Sequence, residues 1–258
     1  MKNTPLDQPW PYPRWVAHRG AGKLAPENTL AAFRLGASHG YQMFECDVKL
    51  SVDGVPFLLH DDTLTRTTNA EEALGAGLSA VAGDHPWGTL SLLDAGSWHS
   101  NAFAGEPLPT FEAIARYCRN NGFDLNIEIK PTPGTEHHTG QVVAQHAARL
   151  WHGAVVPPLL TSFEVPALEG ALQAQPELPR GLLLENLWDG WLETALRLGC
   201  VAVVCDHSLW DVVTVAQAKT AGLRALSYTV NDEAAAQRLI DLGTDGIITD
   251  RVDVFSPA

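Results

Sequence analysis

Long apolar runs are missing from this 258-residue chain. No stretch approaches the roughly 18 apolar residues of a helix that crosses a bilayer. The opening Met-Lys-Asn-Thr-Pro-Leu-Asp-Gln-Pro-Trp has no uninterrupted apolar h-region, so no secretory leader and a cytoplasmic location are expected. Cysteine is scarce as well. Cys46, Cys118, Cys200 and Cys205 sit within apolar segments, with neither a C-x-x-C pair nor the spacing of a secreted disulfide framework, and read as reduced, buried thiols. Positive charge is in deficit, with 17 Lys and Arg against 30 Asp and Glu and a formal net charge of -13. That balance argues against nucleic acid or an anionic membrane surface as the main partner. It also means that an anionic substrate needs a local reversal of the field, from a bound metal ion or a cation cluster in a pocket. No Ser/Gly-rich or Pro-rich linker divides the chain, so residues 1–258 are expected to form one domain, and oligomeric state is left unspecified.

What is present is a rhythm. From residue 123 onward, short β-rich runs at 125–130, 155–163, 181–184, 201–206, 225–230 and 246–249 alternate with helical patterns. Residues 232–243 illustrate the latter, with an acidic first turn, apolar spacing and a terminal Gly243. Adding 16–18, 44–48 and 55–59 gives nine strands, one more than an eight-stranded barrel holds. Asp53-Gly54 resolves the count as a two-residue hairpin that folds 55–59 back on the preceding run. In that register Val52 faces Val55 and Asp47 faces His60, with Cβ atoms roughly 4.5–5.5 Å apart. The expected architecture is a TIM (β/α)8 barrel with a hairpin excursion after strand 2. Residues 61–108 break the rhythm and read as an insertion over the catalytic face, carrying short helices and a candidate lid.

Strand parity then sorts the polar residues. In Glu45-Cys46-Asp47 the period of two puts both carboxylates on one face, and Asn126, Glu128 and Lys130 likewise share a face opposite Ile127 and Ile129. In a barrel the apolar face meets the helices, so the polar set points inward. Three carboxylates gathered there would repel one another unless a cation lay among them. An all-oxygen set of Glu45, Asp47 and Glu128 suits Mg²⁺ or Ca²⁺ better than zinc. A buried network with Lys49, Lys130 or Arg19 is the bland alternative. His18 and His60, each at the end of an apolar run, are candidates for an acid and base pair. The other eight histidines, His99 and His137-His138 among them, read as solvent-facing. Arg19 and Lys130 offer fixed positive charge for a phosphoryl group, and Asn28 is a plausible N-cap for the helix that follows it.

Taken in order, the pattern resembles the glycerophosphodiester phosphodiesterase family, cytoplasmic bacterial type. The elements that carry the resemblance are His18-Arg19-Gly20, Glu27-Asn28-Thr29, Glu45-Cys46-Asp47-Val48, residues 60–68 from His60-Asp61 to Thr68, Leu93 to Trp98, Ile127 to Lys130, Tyr228 to Asn231 and Asp245 to Asp250. The resemblance implies a metal-dependent hydrolase that cleaves small glycerophosphodiesters, such as glycerophosphocholine or glycerophosphoethanolamine, to sn-glycerol 3-phosphate and an alcohol. It implies His18 and His60 as general acid and base, Glu45, Asp47 and Glu128 as ligands of Mg²⁺ or Ca²⁺, and Arg19, Lys130 and the aromatic wall at Tyr228 as substrate contacts. Tyr228 stands where the family usually has Trp. Lysophospholipids or inositol phosphodiesters are alternative substrates on the same fold, and a non-catalytic phosphodiester-binding protein is the alternative outside catalysis. Absence of a basic membrane-facing patch counts against the lipids. Two histidines beside a metal cage count against mere binding.

Overall fold

Val, Ile and Leu recur in short runs separated by helical segments, and in the computed structural model these runs close into a ring. The structure describes residues 9–75, 77, 79–255 and 257, so the opening residues 1–8, on which the leader expectation rests, lie outside it. The strands are β1 (Trp15–Ala17), β2 (Met43–Leu50), β3 (Pro56–Leu58), β4 (Asp124–Ile129), β5 (Leu159–Ser162), β6 (Arg180–Leu184), β7 (Ala202–Asp206), β8 (Arg224–Tyr228) and β9 (Gly246–Thr249). All but β3 run parallel in chain order, and β1 pairs with both β9 and β2, which closes an eight-stranded barrel. This is the expected TIM barrel. None of the described helices is long and apolar enough to cross a membrane.

Parity behaves as the alternation demands. Cys46, Ile127 and Ile129 join Ile114, Val143 and Ala144 in the layer between strands and helices. Val16, Met43, Leu159, Leu183, Val204 and Leu226 fill the barrel interior below the mouth. The fifth strand is shorter than its apolar run. Pro157 and Pro158 have no N–H to give the ladder, and Val155 before them is fully exposed, so pairing begins only at Leu159.

The excursion after β2 is real, but its register differs from the expected one by a residue. Val48 pairs with Leu58, Lys49 with Phe57 and Leu50 with Pro56. The loop is therefore three residues, Val52, Asp53 and Gly54, closed by Ser51 N to Val55 O at 3.1 Å, with Gly54 at φ +79°. A three-residue loop with glycine in the left-handed region is the next most common hairpin connection. Asp47 consequently faces Leu59, whose N–H donates to its carbonyl at 3.2 Å, and not His60. A slip of one residue turns each side chain to the other face of a regular strand. The regular strand stops at Leu58, and His60 reaches the mouth through the bend that follows.

Beyond His60 the chain forms short helical turns, Ala70–Leu74, Ala82–Asp84, Trp87–Leu90 and Asn101–Phe103. They enclose a small core of their own, including Phe57, Leu59, Leu64, Leu90, Leu93 and Leu108. Phe57 of β3 and Leu59 just after it belong to this satellite core, whereas Leu58 faces the main one. The hairpin thus staples residues 61–108 to the barrel.

Candidate active site

His18 follows β1 directly, and its N–H donates to Thr249 O of β9 at 3.0 Å. Arg19 at φ +51° and Gly20 at φ +98° then turn the chain sharply. A Cβ at Gly20 would meet the backbone of Ala32 and Phe33 at 2.9 Å, so glycine is required there. The turn delivers the Arg19 N–H to Glu45 Oε2 at 3.0 Å. On the His18 ring, Nδ1 lies 2.7 Å from Asp250 Oδ1, and Asn231 holds that carboxylate through Nδ2 to Oδ2 at 2.8 Å. Burial works against ionisation of Asp250, but the hydrogen bond from His18 and that from Asn231 keep its carboxyl below the usual range. An ionised partner on Nδ1 assigns the proton to that nitrogen and leaves Nε2, 3.8 Å from Glu45 Oε2, facing the cavity.

His60 is oriented in the same way from the other side. Its Nδ1 lies 2.7 Å from Asp61 Oδ1, and Arg66 grips both oxygens of Asp61 at 2.7 and 2.8 Å. The same guanidinium takes Glu27 at 2.8 and 2.9 Å, and Glu27 in turn accepts from Arg19 at 2.9 Å. Hydrogen bonds from Arg66 hold Asp61 well below the ordinary carboxylate range, while burial lowers the pKa of His60 and so favours its neutral form.

Between the histidines lie the three carboxylates. Their ligand oxygens fall within 4.8 Å of one another. Two donors on one cation at about 2.3–2.6 Å can be no more than about 5 Å apart, so the three are close enough to share an ion. Glu45 Oε1 and Asp47 Oδ1 are buried and meet no hydrogen-bond donor among the described residues. Leaving such atoms unsatisfied costs about 1–3 kcal/mol each, more when charged, and a hard cation would remove that loss. Burial and the neighbouring Asp47 and Glu128 push Glu45 up. Burial and Asp47 push Glu128 up to about 7, with Lys130 at 2.9 Å pulling the other way. Burial opposes ionisation of Asp47 too, but Arg19, His60 and Lys130 outweigh it and hold the group at about 2. The donor chemistry, the spacing and the unsatisfied oxygens fit a divalent cation.

Some expectations need correction. Asn28 does not cap the helix. It sits at φ +60° and clasps Asp47, donating to Oδ2 at 2.8 Å and accepting the Asp47 N–H at 3.1 Å, while Thr29 is the cap of Leu30–Ser38. Lys49 is fully buried yet pairs with Asp62 at 2.9 Å and not with the carboxylate cluster. His85 is buried against Ser79 O, and His99 is half-buried with its ring against Trp98 and Phe103, so neither is solvent-facing. Asp250, Asn231, Asp61, Arg66 and Glu27 stood in the quoted motifs without a role. Asp61 directly follows His60 in the chain and was the available signal for that pair, whereas pairing of β1 with β9 was needed to bring Asp250 to His18.

The assembled groups open on a cavity of about 480 Å³. His18, Arg19, Glu45, His60, Glu128 and Lys130 form one side, and Phe163, Leu183 and Tyr228 lie on the other. Such a site can hold a phosphoryl group on cations, with a histidine Nε2 on either hand.

Comparison with known proteins finds relatives over nearly the whole chain. The model of the glycerophosphoryl diester phosphodiesterase family matches residues 18–254. A glycerophosphodiester phosphodiesterase of Caldanaerobacter subterraneus subsp. tengcongensis is 31% identical over 240 residues, 91% of this chain and 93% of that one. YhdW of Bacillus subtilis strain 168, whose name assigns the same activity provisionally, is 33% identical over 246 residues, 92% of this chain and 94% of its own. Among solved structures, an Oleispira antarctica phosphodiesterase in complex with the product sn-glycerol-3-phosphate superposes with a TM-score of 0.82 at 34% identity, covering 93% of each chain.

Proposed function

On the premise that the chain belongs to the glycerophosphoryl diester phosphodiesterase family, we propose that it hydrolyses glycerophosphodiesters such as glycerophosphocholine and glycerophosphoethanolamine. The products are sn-glycerol 3-phosphate and the free alcohol. The observation that carries this reading is the pair of histidines, each with a carboxylate on Nδ1, flanking three clustered carboxylates. Glu45, Asp47 and Glu128 would hold Mg²⁺ or Ca²⁺, which when bound would polarise a phosphoryl oxygen and neutralise its charge. Arg19 and Lys130 orient the phosphate, and Tyr228 forms the wall against the organic part. The enzyme is read as one domain with residues 61–108 as an insertion that contributes Asp61 and Arg66 to the site. Four buried free cysteines support a cytoplasmic setting.

The reaction needs one base and one acid. A glycerol 2-hydroxyl lies within reach of the phosphorus in any such diester. One histidine Nε2 takes its proton as the oxygen bonds to phosphorus, and the other donates a proton to the departing alkoxide. Water then opens the resulting cyclic phosphate with the two proton roles exchanged. Asp250 and Asp61 keep each ring in the tautomer that presents Nε2 and stabilise the imidazolium.

Release of sn-glycerol 3-phosphate from glycerophosphocholine tests this. Activity should vanish in EDTA and return with Mg²⁺ or Ca²⁺, and His18→Ala and Glu128→Ala should each lose at least about a hundredfold. Full activity in His18→Ala would overturn the assignment, and binding without turnover would make the protein a phosphodiester binder. An analogue without the 2-hydroxyl should be inert, and equally fast cleavage of it would exclude the cyclic route.

A further inference from the structure

The cavity has a second wall to which hydrolysis itself gives no task. Its catalytic side is built by the ends of β1, β2 and β4 and by the bend after β3. The opposite side comes from the ends of β5 to β8, where Phe163, Leu183, Glu185, Asp206 and Tyr228 line it. Asp206 is in register with Tyr228, and Leu184 is in register with Cys205, so Glu185, Asp206 and Tyr228 stand side by side on three neighbouring strand ends.

The aromatic part of this wall is fixed. The Tyr228 hydroxyl donates to Leu184 O at 3.0 Å, and its ring meets Phe163 edge to face with centroids 5.6 Å apart. With the hydroxyl engaged, the ring is what Tyr228 offers to the cavity. Phe163 already carries a cation, since Lys130 Nζ lies 5.5 Å from its centroid. The acidic part forms no ion pair among the described residues. Asp206 uses Oδ1 alone, accepting from Ser208 N at 2.9 Å and Ser208 Oγ at 2.6 Å. Glu185 forms no hydrogen bond or ion pair among the described residues. Burial raises the pKa of the Tyr228 phenol and Asp206 and Glu185 raise it further, as expected of carboxylates within electrostatic reach of the ring. Apart from Lys130, which reaches Phe163, the basic residues that line the cavity, His18, Arg19 and His60, come from the end of β1 and the bend after β3.

Two carboxylates that no cation pairs among the described residues, beside a phosphate pocket in a chain of net charge -13, oppose the entry of an anion. They cease to do so when the diester brings its own positive charge to them. An aromatic face attracts the same charge, and a quaternary ammonium most of all, because it is weakly hydrated. Glycerol carries no charge, and its 2-hydroxyl belongs by the phosphorus. Resting on the hydrolytic reading above, we propose that the Glu185, Asp206 and Tyr228 wall is the subsite of the leaving alcohol and that it selects alcohols bearing an ammonium group.

The test compares glycerophosphocholine and glycerophosphoethanolamine with glycerophosphoglycerol, whose alcohol is neutral. The wild-type enzyme should prefer the two cationic diesters, and the preference should shrink as salt is raised. Combining Glu185→Gln with Asp206→Asn should raise KM for glycerophosphocholine about tenfold and change that for glycerophosphoglycerol less than about twofold. Tyr228→Phe should keep the preference and Tyr228→Leu should reduce it. An equal loss on all three substrates would overturn the proposal by placing glycerol on this wall, and no loss on any would remove the wall from binding altogether. Failure of the wild-type enzyme to cleave any of the three would instead sink the hydrolytic reading on which it rests.

Discussion

At the mouth of the barrel Glu45, Asp47 and Glu128 bring buried carboxylates together and leave two of their oxygens without a donor. At the floor, Arg180 buries a cation among backbone acceptors, donating to the carbonyls of Leu198, Gln175, Pro176 and Leu178 at 2.6–3.3 Å. These carbonyls end the helices Val165–Ala174 and Trp191–Arg197 and the loops after them, so Arg180 ties two βα units together. Tyr12 seals the same end, with its hydroxyl on Pro157 O at 2.9 Å and its ring against Trp10. Both ends bury charge. The floor spends it on hydrogen bonds within the fold, whereas the mouth leaves it available to a ligand, and on the proposed function that difference separates residues that stabilise the barrel from those that would work in it.

Substitutions at the two ends should therefore move different observables. The largest effect is expected from Asp250→Asn, which leaves the His18 ring without its anionic partner on Nδ1. A fall in kcat of about a hundredfold or more should come with a melting temperature close to that of the wild type. Arg180→Met should do the reverse, losing about 2–4 kcal/mol in a urea melt as several carbonyls lose their donor, with kcat of the folded enzyme unchanged. A loss of rate at constant stability from Arg180→Met would erase the distinction between the two ends.

Glu45→Gln sharpens the contrast within the mouth itself. Burial and its two carboxylate neighbours raise the Glu45 pKa in the folded state. Ionising it therefore takes stability away as pH rises past the unfolded value of about 4.5. In EDTA the Gln variant should be more stable than the wild type by about 1–2 kcal/mol at pH 8 and equal to it near pH 4, while losing the stabilisation that Mg²⁺ or Ca²⁺ gives the wild type. The smallest effect is expected at the floor, where burial raises Asp124 to about 6. Stability should decline as pH rises from about 4 to about 6 on this account. Asp124→Asn should flatten that slope by about 1 kcal/mol or less, since the group is partly solvated, as read from thermal melts across the range.

Parity was legible without the fold. That Glu45 and Asp47 share a face, and that Glu128 and Lys130 share another, follows from the two-residue period of any strand, and the inward direction follows once apolar Cys46, Ile127 and Ile129 are given to the helices. The hairpin was legible in kind but not in register. Asp53-Gly54 is compatible with a loop of two residues or of three, and the choice rests on how Pro56 to Leu58 pack between the main core and the satellite core. Asn28 was misread for a related reason. Asn and Thr both cap helices, and only the approach of β2 to the loop after β1 shows that Asn28 is occupied with Asp47.

The strand period and the apolar and polar pattern of residues close together in the chain by themselves determined the barrel class and which carboxylates share its inward face. Tertiary structure decided which residues serve those groups. His18 and Asp250 are 232 positions apart and meet because the last strand closes on the first. Arg66 and Glu27 are 39 apart and meet because the hairpin fastens the insertion to the rim. Such contacts depend on ring closure and on how two cores share one strand. Those are facts about the whole chain that no local spacing contains.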